Sequence, residues 1–380
     1  MPIPPEVAPR IAFLGARGVP ARYGGFETFV EEIGARLVKR GIDVTVFCEA
    51  EGRLRSGAKR LESHRGMHLE YVLPWAPGPA RTIQVDVAGL LRAMSGFDLV
   101  VLLGYGAAFA AWLPRVSGVK VWINPDGLEW QRSKWGLPAK MWLSLMERVA
   151  CRTANRLIFD NAALADVIGK RVGKHLPDHS VLAYGADPLP KGVDAGPVQD
   201  LGLVPGEYDL LLCRCEPENH VAEIVEAHRQ ASPDRPLVAV ANTEIGTPYA
   251  LETVAQGEGH VRFLGSVYDP DVLAPLRQNA RLYMHGHSVG GTNPSLLEAM
   301  GAGSVVLAHD NPFNREVLGR QDVYWRDVAE LVERIQGWSE RPTEDLDQER
   351  ERNRKRIEED YSWERLADQY AQLIWTDVAS

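Results

Sequence analysis

Two glycine-broken stretches of this chain carry the residue types needed to hold an anion. The first, GARGVPARYGGFET, follows the apolar run at 11–14 and contains Gly15, Gly18, Gly24 and Gly25. Glycines there let the backbone take φ > 0 and let a ligand approach main-chain N–H groups. A helix beginning near Phe26 would aim its positive end at the same place. The second stretch is HGHSVGGTNPSLLEAM, in which Gly290, Gly291 and Thr292 precede a helix started by Asn293 and Pro294 and stopped by Gly301 and Gly303. Pro just inside a helix and Gly just past it mark those two ends. Glu298, about one turn in, is placed to accept hydrogen bonds from paired hydroxyls such as those of a ribose. His285 and His287 flank this cradle, either as donors to phosphate or sugar or as histidines satisfied by local backbone. Neither stretch has the G-x-G-x-x-G spacing of dinucleotide sites, and the Walker lysine is missing, so oxidoreductase and P-loop chemistry lose most of their support.

A third stretch, NPDGLEWQRSKW, follows the apolar run 119–123. Asn124, Asp126 and Glu129 therefore lie at a strand's carboxyl end, where open α/β sheets bind ligands. Asp126 and Glu129 are of the type that orients an attacking hydroxyl or shares positive charge developing at a sugar carbon. Asp126-Gly127 is also an ordinary turn pair.

The elements that must position these residues alternate. Short apolar runs at 11–14, 44–47, 99–103, 119–123 and 157–159, each followed by a turn and a helical period, predict buried parallel strands in a doubly wound sheet. Residues 184–197 are rich in Pro and Gly and read as a linker, after which a second series begins at 210–212, 237–241, 261–264, 281–284 and 304–308. Two α/β domains follow. The run DLDQERERNRKRIEEDYSWERLADQYAQLI reads as a solvated helix leading into an amphipathic one.

Composition narrows the function. A net charge of −9 argues against wrapping nucleic acid, which needs a concentrated excess of Lys and Arg. Cys48, Cys151, Cys213 and Cys215 are too few and scattered for a disulfide framework and lack further ligands at zinc spacing, so they read as core thiols. The first residues lack a signal-peptide pattern, and no apolar run approaches the ~20 residues that span a bilayer, which predicts a cytoplasmic protein.

GARGVPARYGGFET, NPDGLEWQRSKW, PEN and HGHSVGGTNPSLLEAM, in this order, resemble the retaining family 4 glycosyltransferases, and within them a rhamnosyltransferase-like subgroup of bacterial surface polysaccharide synthesis. The resemblance implies a GT-B fold: two facing Rossmann-like domains, at 1–185 and 186–361, with a terminal helix at 362–380 that crosses back onto the first. It implies that a nucleotide sugar, dTDP- or UDP-linked, is the donor and that no metal or cofactor is used. Glu298 matches the ribose-holding second glutamate of the family's paired-glutamate motif. The first would fall at Gly290, leaving donor contacts to the backbone of Gly291, Thr292 and Asn293. Arg214 matches the arginine that neutralises the diphosphate, whereas the lysine expected after it is absent and Asn219 occupies that region. Arg17 is then a candidate second cation, or simply a solvated loop side chain, beside Gly24 and Gly25. The loop from Gly265 to Tyr268 resembles the one that reads the base, with Val267 or Tyr268 as a packing surface, and His287 joins the donor contacts.

Asp126, Glu129 and Arg214 are thus the expected catalytic groups. The expected reaction moves a hexose, rhamnose from dTDP-rhamnose, to a glycan acceptor on a polyprenyl diphosphate. The segment RSKWGLPAKMWLSLMERVACRTANR mixes Lys, Arg, Trp, Leu and Met at helical spacing, which suits either peripheral contact with the inner membrane face or core packing with basic flanks. The missing glutamate and lysine leave two other readings, a GT-B scaffold that binds without turnover and a nucleotide-sugar epimerase.

Overall fold

The computed structural model describes residues 7–21, 24–50, 61–231 and 233–379. The chain divides into two compact units, Met1–Ala183 with Trp363–Ser380, and Tyr184–Ser362.

In the first unit, β1 (Arg10–Leu14), β2 (Asp43–Glu49), β3 (Ser63–His64), β4 (Met67–Val72), β5 (Leu99–Leu103), β6 (Lys120–Asn124), β7 (Arg156–Phe159) and β8 (Asp178–Val181) form one sheet in the order β3-β4-β2-β1-β5-β6-β7-β8. The short β3 pairs antiparallel with β4, and the other pairings are parallel. Helices α1 (Gly25–Lys39), α2 (Pro79–Arg92), α3 (Trp112–Val116), α4 (Leu137–Thr153) and α5 (Ala162–Val172) connect them. All five side chains of β5 are buried, as expected of a strand with both faces covered. Strand β4 was not among the expected strands: its MHLEYV alternates between buried and exposed positions, the pattern of a half-covered strand. The polar DHSV of β8 lies at the sheet edge with little burial.

Strand order reverses beside β1, since the chain leaves it for β2 and β4 and returns to β5 on the other side. The two carboxyl ends meet closely there. Gly15 has φ +94°, and a Cβ on it would lie 2.0 Å from the Leu103 carbonyl oxygen, so the position admits glycine alone.

The second unit has an all-parallel sheet of β9 (Asp209–Leu212), β10 (Leu237–Val240), β11 (Val261–Phe263), β12 (Tyr283–His285), β13 (Val306–His309) and β14 (Tyr324–Trp325), in the order β11-β10-β9-β12-β13-β14. Its helices are α6 (Gly196–Asp200), α7 (Val221–Ala231), α8 (Pro248–Gln256), α9 (Pro270–Asn279), α10 (Pro294–Ala302), α11 (Pro312–Leu318), α12 (Val328–Ser339) and α13 (Thr343–Arg356). The charged run does more than solvate a surface. On α13, Leu346, Glu349 and Asn353 are buried, and the Asn353 amide donates to the Ser304 carbonyl at 2.9 Å.

The last helix, α14 (Trp363–Ala379), belongs to the first unit. Its Trp363 and Tyr370 rings pack on Phe29 of α1 at 6.4 and 5.6 Å, and Arg40 donates to Glu364 and Asp368 at 2.9 and 2.8 Å. At its far end Asp377 accepts from the Arg156 guanidinium at 2.9 and 3.0 Å and from the Trp122 indole at 3.0 Å. Burial raises the Asp377 pKa, but these donors outweigh it and hold the carboxyl below its ordinary range. Asp377→Ala leaves Arg156 and Trp122 without their acceptor in a mostly buried place. It should destabilise the first unit by about 2 kcal/mol, read as a fall in Tm of several degrees. An unchanged Tm would mean that the helix is held by its apolar face alone. Among the described residues, no helix is long and apolar enough to cross a membrane.

Candidate functional site

In the second unit strand order reverses between β9 and β12, the position at which open α/β sheets leave a crevice at their carboxyl ends. The loops leaving those two strands carry Arg214 with the 3₁₀ turn Pro217–Asn219, and the stretch from Gly286 to Asn293. They are stitched together. The Ser288 amide and hydroxyl both donate to the Glu218 carbonyl at 3.0 Å, and Nδ1 of His287 lies 2.9 Å from Oδ1 of Asn219. A Cβ on Gly286 would lie 2.0 Å from the Asn219 carbonyl oxygen. The loop after β13 joins in, for the Asn311 and Asn314 amides donate to the His287 carbonyl at 3.0 Å each.

Arg214 projects from this frame with its side chain 54 % exposed, 3.7 Å from the Glu216 carboxylate. Asn219, in the region where the resemblance leads one to expect a lysine, turns inward. It is buried, and its amide donates to the Arg214 carbonyl at 2.8 Å. Its chemistry is to hold the arginine's backbone in place.

Asn293 caps α10, its side chain accepting from the Ser295 amide at 2.9 Å. Gly290 has φ +117°, and Gly291 and Thr292 are buried against the sheet end. Glu298 lies on the second turn, and its carboxylate is bonded to the guanidinium of Arg277 on α9. Arg277 is buried while the Glu298 side chain keeps 40 % of its exposure. A charge-assisted, bonded pair of this kind fixes the direction of the carboxylate. Sequence reasoning missed Arg277, whose partner is on another helix.

Val267 and Tyr268 lie in the loop after β11, Tyr268 being 65 % exposed. That loop is tied to the loop after β10, because the Ser266 hydroxyl donates to Glu244.

Four histidines gather at the same sheet end. His285 is buried with Nε2 unpartnered, and the His220 and His309 rings stack at 4.2 Å. His220 adopts φ +49°, and its Nε2 lies 3.2 Å from the Ser288 hydroxyl. Burial, with His309 nearby, pushes His285 down to about 3. Burial and the neighbouring His220 push His309 down to about 4. Both are neutral at pH 7, so they supply no cation to a diphosphate. The unfolded chain, with histidines near 6.5, binds protons that the folded one refuses. Stability is therefore complete above pH 6.5 and falls as pH drops toward 4, by a few kcal/mol at most for each ring. Tm measured against pH should fall less steeply over that window in His285→Asn than in the parent. Parallel curves would contradict the assignment.

In the first unit, the turn after β1 is closed from within. The Arg17 amide donates to Glu27 at 3.0 Å and the Ala21 amide to Glu31 at 2.5 Å, both carboxylates belonging to α1. This corrects the expectation of an anion cradle there: two of its amides already hold carboxylates, and the start of α1 is acidic. Gly24 is the N-cap of α1 with φ +106° and Gly25 its first residue, while the Arg17 side chain is exposed.

The loop after β6 turns at Asp126, which takes φ +65° and whose amide donates to the Asn124 side chain at 2.9 Å. A positive φ outside glycine is costly, and such strain concentrates at functional sites. Glu129 is less suited to act as a base. Its carboxylate accepts from Arg132 at 2.5 Å and from the Trp135 indole at 3.3 Å, with Lys134 at 3.8 Å. Its backbone amide donates to the buried Tyr105 hydroxyl at 3.1 Å, so its place is to shape the loop that presents Asp126.

Several buried acids were not anticipated, and one of them lies beside a second carboxylate. Asp86 on α2 is buried near the Glu49 carboxylate, and burial with that charge pushes it up to about 8. Its signal was its spacing from Ile83 and Leu90, which puts a carboxyl on the apolar stripe of α2. Burial also raises the Cys213 and Cys215 thiols, as for unreactive core cysteines.

Residues 9–187 match the family described as "Domain of unknown function (DUF1972)", and residues 225–372 match the family described as "Glycosyl transferase-like". A comparison with curated proteins gave no match. Among solved structures, sucrose-phosphate synthase from Thermosynechococcus elongatus is similar at 18 % identity and TM-score 0.79, covering 98 % of this chain and 99 % of its own. Anabaena Alr3699/HepE, in complex with UDP and glucose, is 18 % identical with TM-score 0.77, over 97 % of this chain and 99 % of its own. A UDP-forming trehalose-phosphate synthase from Burkholderia xenovorans is 13 % identical with TM-score 0.72, over 97 % and 99 %.

Proposed function

We propose that this chain, a glycosyltransferase of the GT-B fold, binds a nucleoside-diphosphate hexose on its second unit and transfers the hexosyl group, with retention, to a glycan hydroxyl. The observation that carries the reading is the crevice end of the second sheet. There an exposed guanidinium, Arg214, stands on the loop after β9 and an oriented carboxylate, Glu298, on the helix that follows the loop after β12, the two loops being fixed to one another. Arg214 stabilises the diphosphate as the bond between the anomeric carbon and the phosphate oxygen breaks and the electron pair leaves with phosphate. Glu298, held by Arg277, accepts from the sugar hydroxyls of the nucleoside. The acceptor belongs to the first unit, where Asp126 orients the attacking hydroxyl and Glu129 shapes the loop.

The sequence motifs favour rhamnose from dTDP-rhamnose as donor and a lipid-linked glycan, contacted at the membrane periphery, as acceptor. A second reading, UDP-hexose, is favoured by Glu298 itself. Two carboxylate oxygens match the two free hydroxyls of a ribose, and a thymidine nucleotide has only one. The HepE structure in complex with UDP-glucose adds support by fold. Incubation with dTDP-rhamnose and UDP-glucose in turn, together with glycan acceptors, tests the reading through the released nucleotide and the anomeric configuration of the product. Nucleotide binding without release from any donor would favour a non-catalytic scaffold instead, and an altered sugar in the absence of acceptor would favour an epimerase.

A further inference from the structure

The first unit exposes a contiguous apolar face that its core does not use. Along α4, Leu137, Met141 and Leu145 recur every fourth residue on the outer side, with Leu137 72 % and Met141 66 % exposed. Met146, Ala150 and Cys151 face the core instead. A helix presenting aliphatic side chains to water on one side and to its own core on the other has two apolar stripes, and only one is covered. The patch extends beyond the helix. Phe109 and Trp112, from the 3₁₀ turn and α3 that follow β5, are exposed, and the Phe109 ring meets Trp142 at 5.8 Å. The Trp142 indole donates to the Gly106 carbonyl at 3.2 Å, locking α4 to that turn.

Charge selects the occupant. Arg115, Arg148 and Arg152 border the patch and are exposed. Across 107–118 and 133–155 the one acidic residue is Glu147, which is buried and accepts from Arg171 at 2.9 Å and from the Trp130 indole at 3.0 Å. A chain with net charge −9 thus presents a cationic rim around aliphatic side chains and two indoles. That combination matches a bilayer interface with anionic headgroups. Basic side chains gain near the lipid charge, indoles favour the interface, and aliphatic groups enter the acyl boundary.

We propose that this face of α3 and α4 docks the protein on an anionic bilayer surface. The proposal rests on the reading of the first unit as acceptor side and specifies its partner. The segment just before α4 is the Asp126 loop, so a lipid-linked acceptor held at the interface would present its hydroxyls beside the strand end where Asp126 sits.

The test is sedimentation of the full chain with phosphatidylcholine vesicles, with and without phosphatidylglycerol. Binding to the anionic vesicles, weakening with salt and accompanied by a blue shift of tryptophan emission, is expected. The Leu137→Glu/Met141→Glu double variant should bind at least about tenfold more weakly. Both positions are exposed, so its Tm and nucleotide binding should equal the parent's. Equal vesicle binding by parent and double variant, or none by either, would overturn the proposal, as would a face that mediates self-association while vesicles are ignored. Nucleotide titration of the parent separates the two readings: vesicle docking without nucleotide binding would sink the transferase reading and leave the docking surface standing.

Discussion

Arg214→Ala should lower the rate of sugar transfer by about two to three orders of magnitude, the usual consequence of removing one donor aimed at charge that develops in the transition state. The reason is specific to this site. Two of the histidines near the proposed diphosphate position, His285 and His309, are neutral, Asn219 is occupied in holding the arginine's own carbonyl, and the lysine that the resemblance leads one to expect is absent from the sequence. On the proposed reading Arg214 then carries most of the charge compensation on the second unit. Its exposure of 54 % means that alanine costs little stability, so activity and Tm should separate cleanly. Arg214→Lys should recover part of the rate, because a lysine restores the charge without the two-pronged geometry. Initial rates at saturating donor check this, and a tenfold loss or less would remove Arg214 from the centre of the chemistry.

The second large effect is structural. Gly286→Ala would put a methyl group 2.0 Å from the Asn219 carbonyl oxygen, a backbone atom that no side-chain rotation can move aside, and 3.0 Å from the end of the Ile224 side chain. A cost of about 3 kcal/mol or more is expected, in the upper range for overpacking. The loops after β9 and β12 would be forced apart, and nucleotide binding should go with them. Gly246→Ala is the control. Gly246 lies in the same unit with φ +67° and an open surrounding, so only the backbone strain of about 1 kcal/mol is at stake. Thermal denaturation of the two variants, with and without nucleotide, should show a large and a small loss. Similar small losses would mean that the two loops are not locked together.

Much of this architecture was legible before any coordinates. The runs in β1 and β5 are continuous and apolar because both faces of those strands are covered, and the glycines after β1 and β12 mark turns that only glycine or a strained residue can make. What stayed hidden has physical causes. Strand β8 is four mostly polar residues whose pairing comes from its neighbour β7 rather than from its own pattern. In the first turn the glycines suggested a phosphate, yet Glu27 and Glu31 on the following helix close the Arg17 and Ala21 amides. Spacing locates a turn but does not say which group fills it. The same limit applies to Glu129, whose type suggested a base until Arg132, Trp135 and Lys134 were found around it. Glu298 was singled out from its place on a helix after a glycine loop, whereas Arg277, which orients it, gave no sign because tertiary packing alone brings the two helices together.

The most direct measurement is calorimetric titration of UDP and of dTDP into the parent protein and into Glu298→Ala. Saturable binding is expected in the parent, weakened by about tenfold or more in the variant through loss of hydrogen bonds to an ionised acceptor. The weakening should be larger for UDP, which has the additional hydroxyl. If neither nucleotide binds, or if both bind equally well without the Glu298 carboxylate, the end of the second sheet does not hold a nucleoside diphosphate.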